Sequence, residues 1–294
     1  MEATLDIERH KCTSAVRPAP MVSPDTYADE YYLTDAEGKE EYLETGGREF
    51  SPRLSRTWAL ADIRPGMKVL DLGHGRGEIV YHCALNGAKV TGVDYSDSAN
   101  KLTRNILKNL PRQCRRNASL IHADIRELIF PENYYDRIFL LDIVEHLSHT
   151  ELALVLRGVR RALKKGGKCI IHTMPNRLYW DVGYRYYMKW IDALIKFLMK
   201  GKPIIQQEGR NHYSLAVHIN EQTIWSMKRV LRKHGLKGKV WLEDDFFNRK
   251  NFDRCTWSEL LYEAIMRIWP ISHLWPLKYI FHHTIYAIVE KTEE

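Results

Sequence analysis

From Met67 onward, short apolar runs alternate with helix-length amphipathic segments. MKVLDL, AKVTGVD, ASLIHAD, YDRIFLLD and KCIIHT read as strands, because strands covered on both faces of a parallel sheet appear as near-continuous Val/Ile/Leu runs. Between them, GEIVYHCALNG, a segment after Ser96 and TELALVLRGVRRALKKGG read as helices. Ser148 with Glu151 predicts a capping box for the last of these, and Gly166 and Gly167 predict its end. Upstream, Ser51 followed by Pro52 opens a helix through PRLSRTWALADI, and Thr34 with Glu37 predicts a capping box for a short one before it. After Pro175 the rhythm breaks into the aromatic-rich RLYWDVGYRYYMKWIDALIKFLMKGKP. Asn220 is expected to cap EQTIWSMKRVLRKHG, and GKVWLE and HHTIYAIVEK supply two more strands. The pattern predicts a doubly wound α/β sheet of seven strands, with an N-terminal helical arm and an aromatic-rich helical insertion after strand five.

The chain has 294 residues, 45% hydrophobic and 28% charged, an ordinary globular composition with enough length for a large core. Cys12, Cys83, Cys114, Cys169 and Cys255 form no C-x-x-C pair, which argues against a disulfide framework or a cysteine zinc site and suits a reducing cytoplasm. The opening MEATLDIERH lacks an apolar run, so no secretory signal is expected, and no apolar stretch is long enough to span a bilayer. A cytoplasmic protein, at most peripheral on the inner membrane face, is the expectation. The net charge of +7 suits nucleic acid, anionic lipid or a phosphorylated substrate, but like charges form no block and no RNA-binding signature is present.

The candidate chemistry centres on V-L-D-L-G-H-G-R-G-E, residues 69–78, at a strand-to-helix junction, with Asp94 ending the next strand. Gly73, Gly75 and Gly77 allow a tight turn and close approach of a ligand. A dinucleotide fingerprint would need glycine where this chain has Glu78, which disfavours an oxidoreductase. Pyrophosphate wants a bare, positive helix N-terminus, whereas this junction offers carboxylates, which suit a ligand with a cationic amine and a sulfonium. S-adenosylmethionine is such a ligand. Asp94 can accept from both ribose hydroxyls, and Asp124 can take the adenine amino group while Ile125 packs on the ring.

With these motifs, the segment from about Pro65 to Asn176 resembles a class I S-adenosylmethionine-dependent methyltransferase. The glycine loop, V-T-G-V-D-Y-S for the ribose, H-A-D-I for the adenine, and D-I-V-E-H-L after strand four carry the likeness, with LKKGGKCIIHTMPN entering strand five. The resemblance implies a Rossmann-like core at 65–176, preceded by an arm and helices at 1–64 and followed by an insertion or lid at 177–220 and a sheet-completing segment at 221–294. It implies cofactor contacts from Asp71, Gly73, His74, Gly75, Gly77, Asp94, Tyr95, Ser96, Asp124, Ile125 and Asp142. His74 departs from the cysteine or serine common between the first two glycines.

Transfer from a sulfonium needs a base only where the acceptor must lose a proton, and His146, His172 and His212 are the candidates. Asp142-x-x-Glu145-His146 also resembles the acid-x-x-Glu-His set that binds a divalent ion in small-RNA 2′-O-methyltransferases, with His212 or His218 to complete it. Those relatives carry Glu at the first position, and no metal is expected here. The upstream stretch from Tyr31 to Met67 resembles bacterial and archaeal members associated with glycan or lipid-linked glycan pathways. The expected function is therefore methyl transfer to a small-molecule, lipid or glycan-type acceptor at a hydroxyl oxygen, the alternatives being an RNA methyltransferase and a non-catalytic cofactor-binding protein. A single amphipathic helix over 179–200, serving as lid or membrane contact, is expected to turn Trp180, Ile191, Leu194, Ile195 and Leu198 to one side and Arg185, Lys189 and Lys196 to the other.

Overall fold

The computed structural model describes residues 8–9, 22–198, 217–244 and 256–292. Its main sheet has seven strands: β1 (Lys68–Leu72), β2 (Lys89–Asp94), β3 (Ala118–His122), β4 (Tyr135–Leu141), β5 (Leu163–Thr173), β6 (Leu236–Glu243) and β7 (Thr284–Lys291). Their spatial order is β3-β2-β1-β4-β5-β7-β6. All pairings are parallel except those of β7, which runs antiparallel to both β5 and β6. The order reverses between β1 and β4, and the crevice beyond the carboxyl ends at such a point is where open α/β sheets bind ligands.

Successive residues of each central strand feed opposite cores. Leu70, Leu72, Ile138, Leu140 and Ile171 face one cluster, and Val69, Phe139, Leu141 and Ile170 face the other. The first cluster is closed by α5 (His149–Ala162) and α7 (Ile224–Lys233), and the second by α2 (Pro52–Ala61), α3 (Glu78–Leu85) and α4 (Asp97–Leu107). Covering both faces explains why β1, β2 and β4 are continuous apolar runs. Each large side chain so buried contributes about 1.5–3 kcal/mol.

The Ser51 and Ser148 caps form as expected, Ser51 Oγ accepting from Leu54 N at 3.3 Å and Ser148 making a reciprocal box with Glu151. Three boundaries differ from expectation. Helix α5 ends at Ala162, because Gly166 and Gly167 belong to a bulge early in β5: Leu163 pairs with Tyr135, yet Lys168 already pairs with Arg137. Thr34 lies inside a π-helical turn, Tyr31–Asp35, where its hydroxyl donates to Glu30 O, and the next helix, α1 (Lys39–Thr45), is preceded by Gly38. Thr223, with Ser226, caps α7, while Asn220 donates its backbone N–H to Glu145 O. The insertion is also not one regular helix. Tyr179–Met188 is π-helical and continues as α6 (Lys189–Leu198); α8 (Trp257–Met266) belongs to the C-terminal segment.

Candidate active site

The glycine loop leaves β1 after Leu72 and is fastened to β2 by Gly73 N and His74 N, which donate to Val93 O at 2.7 and 3.3 Å. Gly73 and Gly75 adopt φ of +75° and +53°, the left-handed region that favours glycine. A Cβ on Gly73 would lie 2.1 Å from Ile143 Cδ1, whereas one on Gly75 would meet nothing nearer than Tyr32 Cε1 at 3.7 Å. The loop therefore packs on one side and leaves bare backbone on the other, as a closely approaching cofactor requires.

Asp94 is held by Gly75 N on Oδ2 at 3.0 Å and by Ser96 N on Oδ1 at 2.9 Å. Each oxygen keeps a lone pair for a hydroxyl. Burial, then Asp94 and Glu78, push the Asp71 carboxyl up to about 8. Asp71, Gly73, His74, Gly75, Asp94, Tyr95, Asp124, Ile125 and Asp142 all line one cleft. The donor set fits a ligand with a cationic end and a ribose.

Two of the expected contacts are packed against the protein itself. Gly77 precedes α3, where a Cβ would strike Thr103 at 2.4 Å, and Ser96 Oγ caps α4 through Ala99 N and donates to Tyr27 O. Neither lines the cleft. The His74 ring is buried against Gly92, its Nδ1 within 3.1 Å of Gly75 O and 3.0 Å of Thr103 Oγ1, so it braces the loop. The Asp124 carboxylate is engaged by Arg126 through both its backbone N–H and its guanidinium, and Arg126 also reaches Glu151 at 2.6 Å, so any adenine amino contact shares that carboxylate.

At the methyl-transfer end, Asp142 accepts from His172 Nδ1 at 2.5 Å and pairs with Arg53 at 2.8 Å. Arg53 in turn holds Glu37 at 2.7 Å. Burial opposes ionisation of Asp142, yet Arg53 and then His172 keep its carboxyl well below the usual range. His172 is 0% exposed and does not line the cleft, where a direct base would have to stand. His146 does line the cleft, beside the Tyr27 ring at 5.8 Å. Its Nδ1 lies 3.2 Å from Val217 O, an acceptor only, so Nδ1 carries the proton and Nε2 the lone pair. Burial and then His218 lower its pKa to about 4. His212 lies outside the described residues.

Glu145, His146 and His218 present potential metal ligands within 4.8 Å of one another. Asp142 is not among them, being turned to Arg53. Burial and then Asp142 push the Glu145 carboxyl up to about 7, and Thr173 Oγ1 donates to it at 2.7 Å.

Sequence reasoning missed Tyr27, Tyr31, Tyr32, Glu37 and Arg53, all of which line the cleft. Arg53 left one signal: a cation in the first turn of a helix opposes the dipole and calls for an anionic partner. A second cavity of about 580 Å³ shares Glu37 and Arg53 with the cleft and extends past Met174, Trp241, Arg267 and His282.

Residues 69–167 match the family described as "Methyltransferase domain". The ubiquinone/menaquinone biosynthesis C-methyltransferase UbiE of Shewanella frigidimarina is 33% identical over 177 residues, which cover 58% of this chain and 68% of that protein. Among solved structures, phosphoethanolamine N-methyltransferase 2 of Haemonchus contortus, in complex with phosphomonomethylethanolamine and S-adenosylhomocysteine, has a TM-score of 0.58 at 19% identity, over 94% of this chain and 62% of that one. The [4+2]-cyclase SpnF has a TM-score of 0.57 at 13% identity, over 95% of this chain and 98% of that one. A cyclase on the same frame means that architecture alone does not fix the chemistry. The ordered motifs, the sheet that carries them and the UbiE relative do so together: the chain belongs to the class I S-adenosylmethionine-dependent methyltransferases.

Proposed function

We propose that the chain methylates a hydrophobic, hydroxyl-bearing small molecule of the quinol or phenol type, on the ring carbon beside the hydroxyl. The observation that carries this reading is the uncharged His146 in the cofactor cleft, under Tyr27 and within the same cleft as Tyr31 and Tyr32. The cofactor supplies a methyl group already activated by its sulfonium, so orienting the acceptor provides much of the rate. His146 Nε2 takes the hydroxyl proton, and the charge left behind spreads from oxygen to the conjugated carbon, which receives the methyl group from the departing thioether. That carbon then gives up its own hydrogen as a proton while the oxygen regains one, which restores the aromatic hydroxyl. The tyrosine wall excludes water and accepts a flat ring face. Arg53, shared with the second cavity, keeps Asp142 ionised at the junction where the acceptor arrives.

Identity with a ubiquinone/menaquinone C-methyltransferase supports attack from carbon. Methylation of the oxygen itself, the expectation from sequence, is the second reading, and the same His146 favours it, since both products begin with the same proton removal. Incubating the full chain with labelled cofactor and quinols, phenols, lipid extract, glycan fractions and RNA, followed by NMR of the product, tests this. Label in the phenolic or quinol fraction supports the proposal; label confined to glycan or RNA overturns it. His146→Ala is expected to lower kcat by about 10²–10⁴-fold with cofactor affinity retained.

A further inference from the structure

Twelve of the seventeen large apolar side chains that stand exposed among the described residues lie in two short stretches, 186–198 and 257–275. Helix α6 has already used one stripe to pack: Ile191 and Ile195 join a cluster with Tyr262 and Met266 of α8, and Asp192 accepts from the Tyr262 hydroxyl at 2.6 Å. It carries a second stripe facing away, Trp190, Leu194 and Phe197, exposed by 65%, 52% and 80%. Helix α8 repeats the arrangement, with Tyr262 and Met266 inward and Trp257, Leu261 and Ile265 outward. Tyr187 ties the two segments by donating to Ile265 O at 2.9 Å. Trp269 and Trp275 extend the exposed apolar surface. The single-sided helix expected from sequence is thus apolar on both sides, and packing accounts for only one.

We infer that this outward face docks on an anionic lipid bilayer, which deepens the reading of a hydrophobic acceptor without depending on it for its test. Charge points to the occupant. The exposed charged side chains of α6 are Lys189 and Lys196; its one acid, Asp192, has 13% of its side chain exposed and pairs with Lys196 at 2.7 Å, so Lys189, with Arg185 in the preceding turn, supplies the cationic excess. Lys189 Nζ stands 5.7 Å from the Trp190 ring and Arg185 stands 5.4 Å from the Tyr186 ring, so cations flank aromatic side chains as at a headgroup boundary. A second copy meeting this face about a two-fold axis would set those cations against themselves. No helix among the described residues is long and apolar enough to cross a membrane, so the contact is with the surface. Exposed apolar area on this scale marks an interaction site. The face also adjoins the second cavity, for His273, set between Ile271 and Leu274, lines it together with Arg267. An amphiphilic acceptor drawn from the bilayer would pass along that wall toward Arg53.

The test is co-sedimentation of the full chain with vesicles of phosphatidylcholine alone and of phosphatidylcholine mixed with phosphatidylglycerol. Binding to the anionic vesicles is expected to be tighter by about tenfold or more and to weaken as salt rises. Trp190→Glu with Leu194→Glu, and separately Trp275→Glu, should each reduce it severalfold with thermal melting and cofactor affinity unchanged, because all three side chains are exposed. Absence of binding to anionic vesicles at low salt overturns the inference. So does undiminished binding by the variants, or a parent dimer that these substitutions dissociate without vesicle binding by either form. Vesicle binding by a protein that labels only water-soluble glycan or RNA would leave this face standing and overturn the acceptor reading instead.

Discussion

Asp142 joins β4 to Arg53 of α2, its Oδ2 lying 2.8 Å from Arg53 Nη1, and does so at φ +54°, a left-handed conformation that Asp tolerates better than most residues. Arg53, its side chain 10% exposed, lies between this carboxylate and Glu37, so its charge is matched on both sides. Arg53→Met leaves the two acids without their shared cation and is expected to lower the unfolding free energy by roughly 3 kcal/mol. Urea denaturation measures it; an equally stable variant would show that the ion pairs contribute nothing net.

The same carboxylate fixes an acid dependence. Its folded pKa is held below its unfolded value, so its stabilising contribution is present above about pH 4 and is lost as pH falls through the folded value. The melting temperature of the parent is expected to drop more steeply below about pH 4 than that of Asp142→Asn. Parallel curves for the two proteins would assign the acid sensitivity to other groups.

Asp71 titrates in the opposite sense. Raised to about 8 by burial and its acidic neighbours, it holds a proton at neutral pH, and a bound ammonium and sulfonium favour its ionised form. Cofactor binding at neutral pH should therefore release a proton, and affinity should rise with pH through about 8 and level off above it, where Asp71 is already ionised. Calorimetry in two buffers of different ionisation heat reads this directly. Binding heats that are independent of buffer would contradict it.

Asp94→Ala removes the acceptor for the ribose hydroxyls and also frees Gly75 N and Ser96 N. Cofactor affinity is expected to weaken by about 1.5–3 kcal/mol. Asp94→Asn, which keeps one acceptor oxygen, should lose less. Unchanged calorimetric affinity in the alanine variant would remove Asp94 from the site.

Turnover is expected to survive excess chelator. A metal ion would need a carboxylate oxygen from Glu145, and both of its oxygens already accept, from Thr173 Oγ1 at 2.7 Å and Met174 N at 3.5 Å. Activity that vanishes with chelator and returns with Mn²⁺ or Co²⁺ would assign Glu145, His146 and His218 to an ion.

The half of the site built by the glycine loop and the strand ends was legible because local rules write it. Gly73 and Gly75 sit at positive φ, which favours glycine, and Asp94 closes a strand whose apolar run ends there. Leu163–Gly167 misled because a glycine pair marks a helix stop and a strand bulge with equal ease, and only the pairing with Tyr135 and Arg137 decides. The Arg53–Asp142–His172 series joins three elements far apart in the chain, a contact that no local periodicity records. Trp190 and Ile191 are apolar neighbours in the sequence, and only the position of α8 determines that Ile191 packs while Trp190 faces out.

Arg76 ties the cofactor loop to the segment that roofs it, donating to Tyr32 O at 3.2 Å and to Glu37 O at 2.7 Å while paired with Glu78. Ordering of that roof and occupation of the cleft are consequently linked equilibria, and linkage is reciprocal: whatever loosens the N-terminal segment weakens the cofactor by the same factor with which the cofactor tightens the segment. A roof that opens for the exchange of spent for fresh cofactor would bound turnover by a motion remote from the chemical step.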